Sequence, residues 1–414
     1  MRLLNITTFK LEEFWENNDT PDYAILSHTW EEEEVSFQVI ADLNSASQLL
    51  GFKKIQASCR QASEDGLDWI WIDTCCIDKS SSAELSEAIN SMFRWYKNST
   101  TCYAYLSDVP SNEDPEARGS SFSKSRWFTR GWTLQELVAP REVEFFSKDW
   151  VRIGCQRSLC LQISNITGIN VGILTGKEQF DGKSIAQRMS WASRRFTTRP
   201  EDMAYCLMGL FDVNMPLLYG EGQKAFQRLQ EEILKRSNDQ SLFAWTAASS
   251  QSSDSSLMGG FLSHSPRDFE FSNKYISYKY FSRGLEQPHS MTNMGLCIKF
   301  PVIKVPGVHD ERIVILACTS TDFKPGSTLL GLFVRMDCPP SKYKDERLPR
   351  VWDTHSYGSG SRFIDRAPVS LKLDNSGMSG SQPWVSVHWH QPECRLDGVA
   401  ETLYIPQQTF VDIS

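Results

Sequence analysis

The sequence predicts an α/β fold with a parallel sheet and flanking helices, followed by a helical segment and a β-rich C-terminal part. Short β-rich runs alternate with helical patterns between residues 23 and 150, which is typical of parallel strands joined by crossover helices. Residues 184–238 have one helical pattern after another, and the chain beyond residue 258 is β-rich. We predict an α/β domain at 1–160, a helical extension at 161–248, a Ser-rich linker at 249–258 and a β-rich domain at 259–414.

The α/β domain is predicted to contain four strands, with the sequences YAILS, WIWID, TCYAYL and VEFF. Two connecting segments carry apolar residues at helical spacing. The first stripe consists of Phe52, Ile55, Cys59 and Ala62, and the second of Leu85, Ile89, Met92, Phe93 and Tyr96. Ser81 and Glu84 predict a capping box at the start of the second helix, and Pro140 predicts the end of the helix that carries WTLQELV.

The later parts of the chain have sequence patterns that predict secondary structure less clearly. Phe226, Leu229 and Ile233 form a stripe on the last predicted helix of the extension. Residues 249–256 contain six serines in eight positions, a composition that cannot build a core. Beyond them, β-rich runs separated by Gly, Pro, Ser and Asp predict a small antiparallel sandwich or barrel-like module.

Composition narrows the range of partners. The 414 residues carry a net charge of −8, and without a long basic run this argues against nucleic acid as the main partner. No signal segment or membrane-spanning run is visible, so we expect a cytoplasmic protein without a membrane span. The 11 cysteines include no C-x-x-C pair, which predicts free thiols and no metal site.

Polar side chains follow two of the predicted strands at the points where the strands end. Ligands bind at such strand ends in open parallel sheets, so these residues are a candidate rim for a sugar or phosphate, with Trp30 available to stack on a base. The alternative is that Ser27 and Thr29 cap the next helix and that Asp73 caps a turn. The candidate binding residues are Ser27, His28, Thr29, Trp30, Asp73, Cys76 and Asp78.

His28 is the only histidine in the first 250 residues. A lone histidine usually has a structural role, for example a hydrogen bond to a carboxylate such as Asp73. A role as a proton carrier near neutral pH is the minority interpretation.

Glu136 is an acid inside the apolar and aromatic segment RWFTRGWTLQEL. Leu134 and Leu137 should face the core, which would leave Glu136 at the edge of the buried face and raise its pKa by desolvation. The alternative is a surface ion pair with Arg126 or Arg130, which would contribute little to stability.

Four blocks, in order, resemble the fungal heterokaryon-incompatibility (HET) domain. They are YAILSHTW, DWIWIDTCCIDK, SSAELSEAINSMFRWYKNSTTCYAYLSDV and SRWFTRGWTLQEL. Glu31 stands where the family usually has a glycine after the tryptophan. The resemblance implies a cell-death effector of fungal self/non-self recognition or innate immunity.

HET domains are similar in fold to TIR domains, which implies a TIR/flavodoxin-like sheet. The nucleotide-cleaving TIR proteins carry a glutamate in a W-x-x-x-E-L context, and Trp132 to Leu137 match it, although Thr133 stands where a cysteine is common. The resemblance therefore implies an NAD⁺ glycohydrolase with Glu136 as catalytic residue and no cofactor besides the substrate. Ser27, His28 and Asp73 would contact ribose or phosphate, and Trp30 or Trp132 would stack on a ring.

Two alternatives follow from the same resemblance. The α/β domain is a non-enzymatic signalling module that self-associates and recruits a partner, or the β-rich half is a sensor that holds the first domain inactive. Enzymatic TIR-like domains also imply a homo-oligomer as the active form. The expected partners are thus NAD⁺ or a related dinucleotide, further copies of the chain and an incompatibility partner protein.

Overall fold

The computed structural model describes residues 1–15, 20–246, 262–278, 290–292, 295–304, 311–322, 328–335, 369–373, 385–389, 391–394 and 399–405. The chain divides into two compact units. The first contains residues 1–182 and 195–225, and the second contains residues 183–194 and 226–414. The predicted Ser-rich linker at 249–258 lies outside the described residues.

The first unit contains a mixed sheet of seven strands in the order β2-β1-β4-β3-β5-β6-β7. In chain order, the strands are β1 Arg2–Asn5, β2 Leu11–Glu13, β3 Ala24–His28, β4 Trp69–Ile72, β5 Thr101–Tyr105, β6 Val143–Phe146 and β7 Arg152–Cys155. The strands β4, β3, β5 and β6 are mutually parallel neighbours. The prediction of four parallel strands is therefore confirmed.

The edges of this sheet differ from the all-parallel prediction. The strand β1 pairs antiparallel with both β2 and β4, and β7 pairs antiparallel with β6. The strands β1, β2 and β7 are only three or four residues long and partly exposed, so they lack the apolar run that marks a central parallel strand. This is the physical reason why the sequence did not reveal them.

Helices connect and flank the strands. They are α1 Phe37–Ile40, α2 Leu43–Ala46, α3 Phe52–Glu64, α4 Ser82–Asn98, α5 Ser121–Lys124, α6 Thr133–Val138, α7 Cys160–Thr167, α8 Val171–Leu174, α9 Ile185–Ser190, α10 Asp202–Tyr205 and α11 Lys224–Arg236. None of the helices in the described part of the chain is long and apolar enough to cross a lipid bilayer.

The predicted helix stripes and ends are largely confirmed. All four stripe residues of α3 are buried, as are Ile89, Met92 and Tyr96 of α4. Ser81 caps α4 by accepting a hydrogen bond from the Glu84 backbone nitrogen. The capping box is incomplete, because the Glu84 carboxylate accepts from the backbone of Asp78 instead.

The connections place α3 on one face of the sheet and α4 and α6 on the other. The strand β3 lies between β4 and β5. The connection from β3 to β4 and the connection from β4 to β5 therefore cross the sheet in opposite directions. Right-handed crossovers then put their helices on opposite faces. The contacts agree: Tyr103 of β5 bonds Asp65 at the end of α3, whereas Tyr23, just before β3, bonds the backbone of Trp95 in α4.

The second unit contains antiparallel strands. An eight-stranded sheet has the order β16-β15-β14-β13-β11-β10-β17, with β9 paired to β10, and β8 pairs with β12. The strands are β8 Tyr275–Ser277, β9 Ser290–Thr292, β10 Gly295–Lys304, β11 Glu311–Leu316, β12 Cys318–Ser320, β13 Thr328–Arg335, β14 Val369–Leu373, β15 Val385–Trp389, β16 Gln391–Cys394 and β17 Val399–Ile405. A separate sandwich or barrel-like domain stays a prediction.

Candidate functional site

The carboxyl group of Glu136 on α6 lies against the C-terminal end of β3. The hydroxyl of Ser27 donates a hydrogen bond to Glu136 Oε2, and the Ser27 hydroxyl oxygen accepts one from Trp127 Nε1 at 2.8 Å. Because an indole nitrogen can only donate, the Ser27 proton is left to point at Glu136. Tyr96 of α4 also hydrogen-bonds the carboxyl group. The Glu136 residue is 7% exposed.

This environment changes the acidity of Glu136. Burial raises the pKa of its carboxyl from the ordinary 4.5 to about 8, and the negative charge of Asp73 acts in the same direction. The hydrogen bonds from Ser27 and Tyr96 and the charge of Arg130 lower the pKa, but they do not outweigh the desolvation. Glu136 is therefore mostly protonated at pH 7.

The ion pair considered as an alternative for Glu136 is not formed. Arg126 pairs instead with Glu31, and Arg130 Nη1 lies 3.5 Å from Thr198 Oγ1. Arg130 acts on Glu136 only through its charge. The reason is that the carboxyl faces β3 and α4 rather than the helix surface.

The short helix α6 is held at its first turn by Thr133 and Arg195. The Thr133 hydroxyl bonds the backbone oxygens of Trp127 and Arg130. Arg195 is 4% exposed, and its Nη1 donates to Thr133 Oγ1 and to the Arg130 oxygen, each at 2.9 Å. Thr133 thus links Arg195 to the segment that carries Trp127 and Glu136.

Gly131 allows the 195–198 segment to approach the start of α6. Its nitrogen donates to Phe196 O at 2.9 Å, and Phe196 N donates to Thr129 O at 2.7 Å. A Cβ atom at position 131 would lie 2.5 Å from Thr197 Cγ2 and 3.1 Å from Cys206 Sγ. Any side chain there would displace the turn that precedes Glu136.

His28 lies in a second polar cluster. Its Nε2 is 3.7 Å from Asp73 Oδ1 and 3.9 Å from Glu34 Oε2. Burial and the positive charges of Lys54 and Lys79 lower the His28 pKa to about 3, although Asp73 acts in the opposite direction. The imidazole is therefore neutral at pH 7, and the role of a proton carrier near neutral pH is not favoured.

Asp73 joins Trp30 and Lys79 at the exposed side of this cluster. Trp30 Nε1 donates to Asp73 Oδ2 at 2.8 Å, and Lys79 Nζ lies 3.6 Å from the centre of the Trp30 ring. Trp30 is 48% exposed. Its ring is the one aromatic surface among the predicted binding residues that is largely open to solvent, and Lys79 already covers part of it.

The side chains of Ser27 and His28 point to opposite faces of the sheet. They are consecutive in β3, and side chains alternate between the two faces of a strand. Ser27 faces α4 and α6, where it meets Glu136, whereas His28 faces α3 and its residue Lys54. Asp73 follows β4 at the strand ends and acts electrostatically on both Glu136 and His28. The predicted rim is therefore two clusters with Asp73 between them.

Three other predicted binding residues have local partners. Cys76 is buried, and its sulfur accepts from Ile72 N at 3.3 Å. Thr29 is buried and does not cap a helix, because α1 and α2 are capped by Ser36 and Asp42. Trp132 is half-buried and hydrogen-bonds Asp202.

Asp78 has a structural role before α4. Its Oδ1 accepts from Ser80 N at 3.0 Å, from Ser80 Oγ at 2.6 Å and from Gln38 Nε2 at 2.8 Å. These hydrogen bonds lower the Asp78 pKa. They are the pattern of a turn that leads into a helix.

Sequence reasoning did not single out Tyr96, Trp127, Glu34 or Lys54. Tyr96 is one of the residues of an apolar stripe, which predicts packing rather than a polar contact. Glu34 ends the run EEEE, which is typical of a solvent-exposed surface. No signal in the sequence pairs either of them with a strand end. Among the described residues, no group of three His, Cys, Asp or Glu side chains is placed to hold a metal ion.

The match to a known protein family agrees with the motifs. Residues 23–121, which include β3, β4, α4 and β5, match the family described as "Heterokaryon incompatibility protein (HET)". This part of the chain is similar to HET domains. The resemblance predicted from the motifs is thereby confirmed, whereas the TIR-like assignment stays a prediction. Glu136 lies 15 residues beyond the matched range.

The chain also has a longer similarity to one curated protein. The chain is 53% identical over 223 residues to "Vegetative incompatibility protein HET-E-1" of Podospora anserina, which is 52% of this chain. The chain spans only 16% of that protein's length. Both matches are to proteins described by heterokaryon or vegetative incompatibility.

The C-terminal part matches a family without an assigned function. Residues 224–409 match "Domain of unknown function (DUF8212)", a range that contains α11 and the strands β8 to β17. No solved structure matches the chain at a significant level.

Proposed function

We propose that this protein acts in heterokaryon incompatibility as a cell-death effector, and that its HET domain hydrolyses NAD⁺ to nicotinamide and ADP-ribose. The HET domain and the similarity to HET-E-1 support the first half of the proposal. The observation that supports the second half is the contact between Glu136 and Ser27 at the C-terminal end of β3. Homo-oligomers are the proposed active form, and an incompatibility partner protein is the proposed trigger.

The position of Glu136 agrees with ligand binding in open α/β sheets. The four parallel strands have the spatial order second, first, third, fourth, and β3 is the strand at which the chain reverses direction. Ligands bind outside the strand ends at such a switch point. This order is also that of the flavodoxin-like sheets, which supports the TIR/flavodoxin-like assignment as part of the proposal.

The chemistry requires a negative charge beside the reacting ribose. The bond between ribose C1′ and the nicotinamide nitrogen breaks, and its electron pair leaves with nicotinamide, whose ring becomes neutral. The positive charge that develops on the ribose is stabilised by a carboxylate. Water then adds to C1′ and releases a proton, which completes ADP-ribose.

The raised pKa of Glu136 fits this use, with one condition. The carboxyl is mostly protonated in the free protein at pH 7, so it must ionise when the substrate binds. The nicotinamide ring of NAD⁺ is a cation, and a nearby cation favours the carboxylate form. The carboxylate is thus expected to form in the presence of the group that it has to stabilise.

Nicotinamide release tests the proposal. The purified 414-residue chain is incubated with NAD⁺ beside the variants Glu136→Ala and Glu136→Gln, and nicotinamide is measured by chromatography. We expect both variants to lose activity by a factor of at least about 100. The matched control is Glu142→Gln, at an exposed glutamate six residues later, which should retain the activity of the wild type. Equal nicotinamide release from the wild type and Glu136→Gln would refute the assignment.

A non-enzymatic assembly module is the second candidate, and the burial of Glu136 favours it. A carboxyl group that is 7% exposed and bonded to Ser27 and Tyr96 also ties α6 to β3 and α4. Expression of Glu136→Gln in fungal cells separates the two. Gln can keep these hydrogen bonds, so an assembly module would remain toxic, whereas an NAD⁺ hydrolase would lose its toxicity.

A further inference from the structure

His28 has unsatisfied hydrogen-bonding capacity in a buried position. The residue is 7% exposed, and neither ring nitrogen has a hydrogen-bond partner among the described residues. Its Nε2 lies 3.7 Å from Asp73 Oδ1 and 3.9 Å from Glu34 Oε2. In the same described part of the chain, Glu34 Oε2 is also buried without a hydrogen-bond partner. Both distances exceed those of a direct hydrogen bond.

The distances among these three atoms suit one more oxygen atom that bridges them. Buried polar atoms without partners cost about 1–3 kcal/mol each, so a group that satisfies them would bind favourably. An oxygen at about 2.8 Å from Nε2 can also lie within hydrogen-bond distance of a carboxylate oxygen. A hydroxyl fits, because it accepts from an Nε2 proton and donates its own proton to Glu34 or Asp73.

The charges around this position favour a neutral group. Glu34 is paired with Lys54, and Lys79 lies 3.9 Å from Asp73. His28 is neutral at pH 7, so two carboxylates face two ammonium groups. The carboxylates would repel a phosphate, and the ammonium groups would repel a metal ion. A hydroxyl carries no charge and is repelled by neither.

We propose that His28, Glu34 and Asp73 form a subsite for the 2′,3′-diol of the ribose that loses nicotinamide, with Glu34 as a specificity-determining residue. One hydroxyl bridges His28 and one carboxylate, and the neighbouring hydroxyl donates to the other carboxylate. This subsite lies at the same strand ends as the catalytic cluster, because His28 follows Ser27 in β3 and Asp73 follows the neighbouring strand β4. The identity of the ribose rests on the proposed function.

Two probes test the subsite without turnover. ADP-ribose carries the second ribose and ADP lacks it, and neither has a nicotinamide bond that can be hydrolysed. Calorimetric titration of the full chain should give an affinity for ADP-ribose at least about tenfold higher than that for ADP. Glu34→Gln should bring this ratio close to one, and Asp73→Asn should have the same effect.

The controls separate this proposal from loss of folding and from the proposed hydrolysis. Glu32→Gln removes the same charge at an exposed glutamate two residues earlier and should keep the ratio. Thermal unfolding shows whether Glu34→Gln is folded, and Asp73→Asn is the second test if it is not. The wild type separates the two proposals, because a preference for ADP-ribose without any release of nicotinamide from NAD⁺ would support the subsite and refute only the hydrolysis.

Two results would overturn the subsite. A wild-type protein that does not prefer ADP-ribose to ADP, or does not bind it at millimolar concentration, has no diol subsite. A preference that is the same in the wild type, Glu34→Gln and Asp73→Asn would mean that the position holds only a structural water.

Discussion

The indole nitrogen of Trp127 donates a hydrogen bond to the Ser27 hydroxyl at 2.8 Å. This contact fixes the direction of the Ser27 proton, which points at Glu136. The acidity of Glu136 therefore depends on two residues that lie 9 and 109 positions away in the chain. Several measurable properties follow from this arrangement and from the His28 cluster.

Removal of the Ser27 hydroxyl should make Glu136 a weaker acid. The hydrogen bond from Ser27 lowers the Glu136 pKa, so Ser27→Ala should raise it further above 8. If Glu136 acts as a carboxylate, the rise of kcat/KM for NAD⁺ with pH should shift to higher pH by about one unit. The control Ser45→Ala, at an exposed position of α2, should leave the pH profile unchanged. An unshifted profile in Ser27→Ala would contradict the role of this hydrogen bond.

The stability of the protein should depend on the protonation of Glu136. The folded protein holds this proton more tightly than the unfolded chain, so the stabilisation is complete below pH 4.5 and is lost as pH rises through about 8. Glu136→Gln cannot titrate. Its free energy of unfolding relative to the wild type should therefore increase by on the order of 3 kcal/mol between pH 4.5 and 7. Urea unfolding at a series of pH values measures this, and a constant difference would refute it.

His28 should make the protein sensitive to acid. Its pKa is lowered from 6.5 to about 3 in the folded state, so its contribution to stability is present above pH 6.5 and is lost as pH falls towards 3. The wild type should lose on the order of 3 kcal/mol more than His28→Asn between pH 7 and pH 4. His264→Asn is the control, at a half-buried histidine of the second unit. Parallel pH curves for the wild type and His28→Asn would rule out this contribution.

Thr133 should act through its hydroxyl rather than its shape. Thr133→Val keeps the branched side chain but leaves Arg195 Nη1 and two backbone oxygens without the Thr133 partner. The loss should be about 1–3 kcal/mol of unfolding free energy. Thr133→Ser keeps the hydroxyl and should lose clearly less. Equal destabilisation of the two variants would assign the effect to packing.

Gly131→Ala should disturb Glu136 without touching it. The new methyl group would overlap with Thr197 at 2.5 Å, and relief of such overpacking typically costs about 1–3 kcal/mol. Gly182→Ala is a matched control, because a Cβ there meets no heavy atom within 4 Å. We expect Gly131→Ala to lower both the melting temperature and nicotinamide release. Full stability and activity in this variant would show that the turn adapts at no cost.

The sequence predicted the central strands because each one is a continuous apolar run buried on both faces. It also predicted the stripe of α3, because amphipathic periodicity is a local property of a helix. The edge strands β1, β2 and β7 were missed, since short, partly exposed strands are specified by their neighbours more than by their own residues. The motifs YAILSHTW and WIWIDTCCID lie inside the range that matches the HET family, and RGWTLQEL lies beyond it.

Tertiary structure alone decided which side chains meet. The sequence grouped Ser27 with His28, but strand alternation sends them to opposite faces of the sheet, one towards Glu136 and the other towards Glu34. The sequence also suggested an arginine partner for Glu136, whereas the packing of α6 against β3 and α4 gives it Ser27 and Tyr96. Residue type and local periodicity are written in the sequence, but burial and partner choice depend on distant segments, and these set the pKa values of Glu136 and His28.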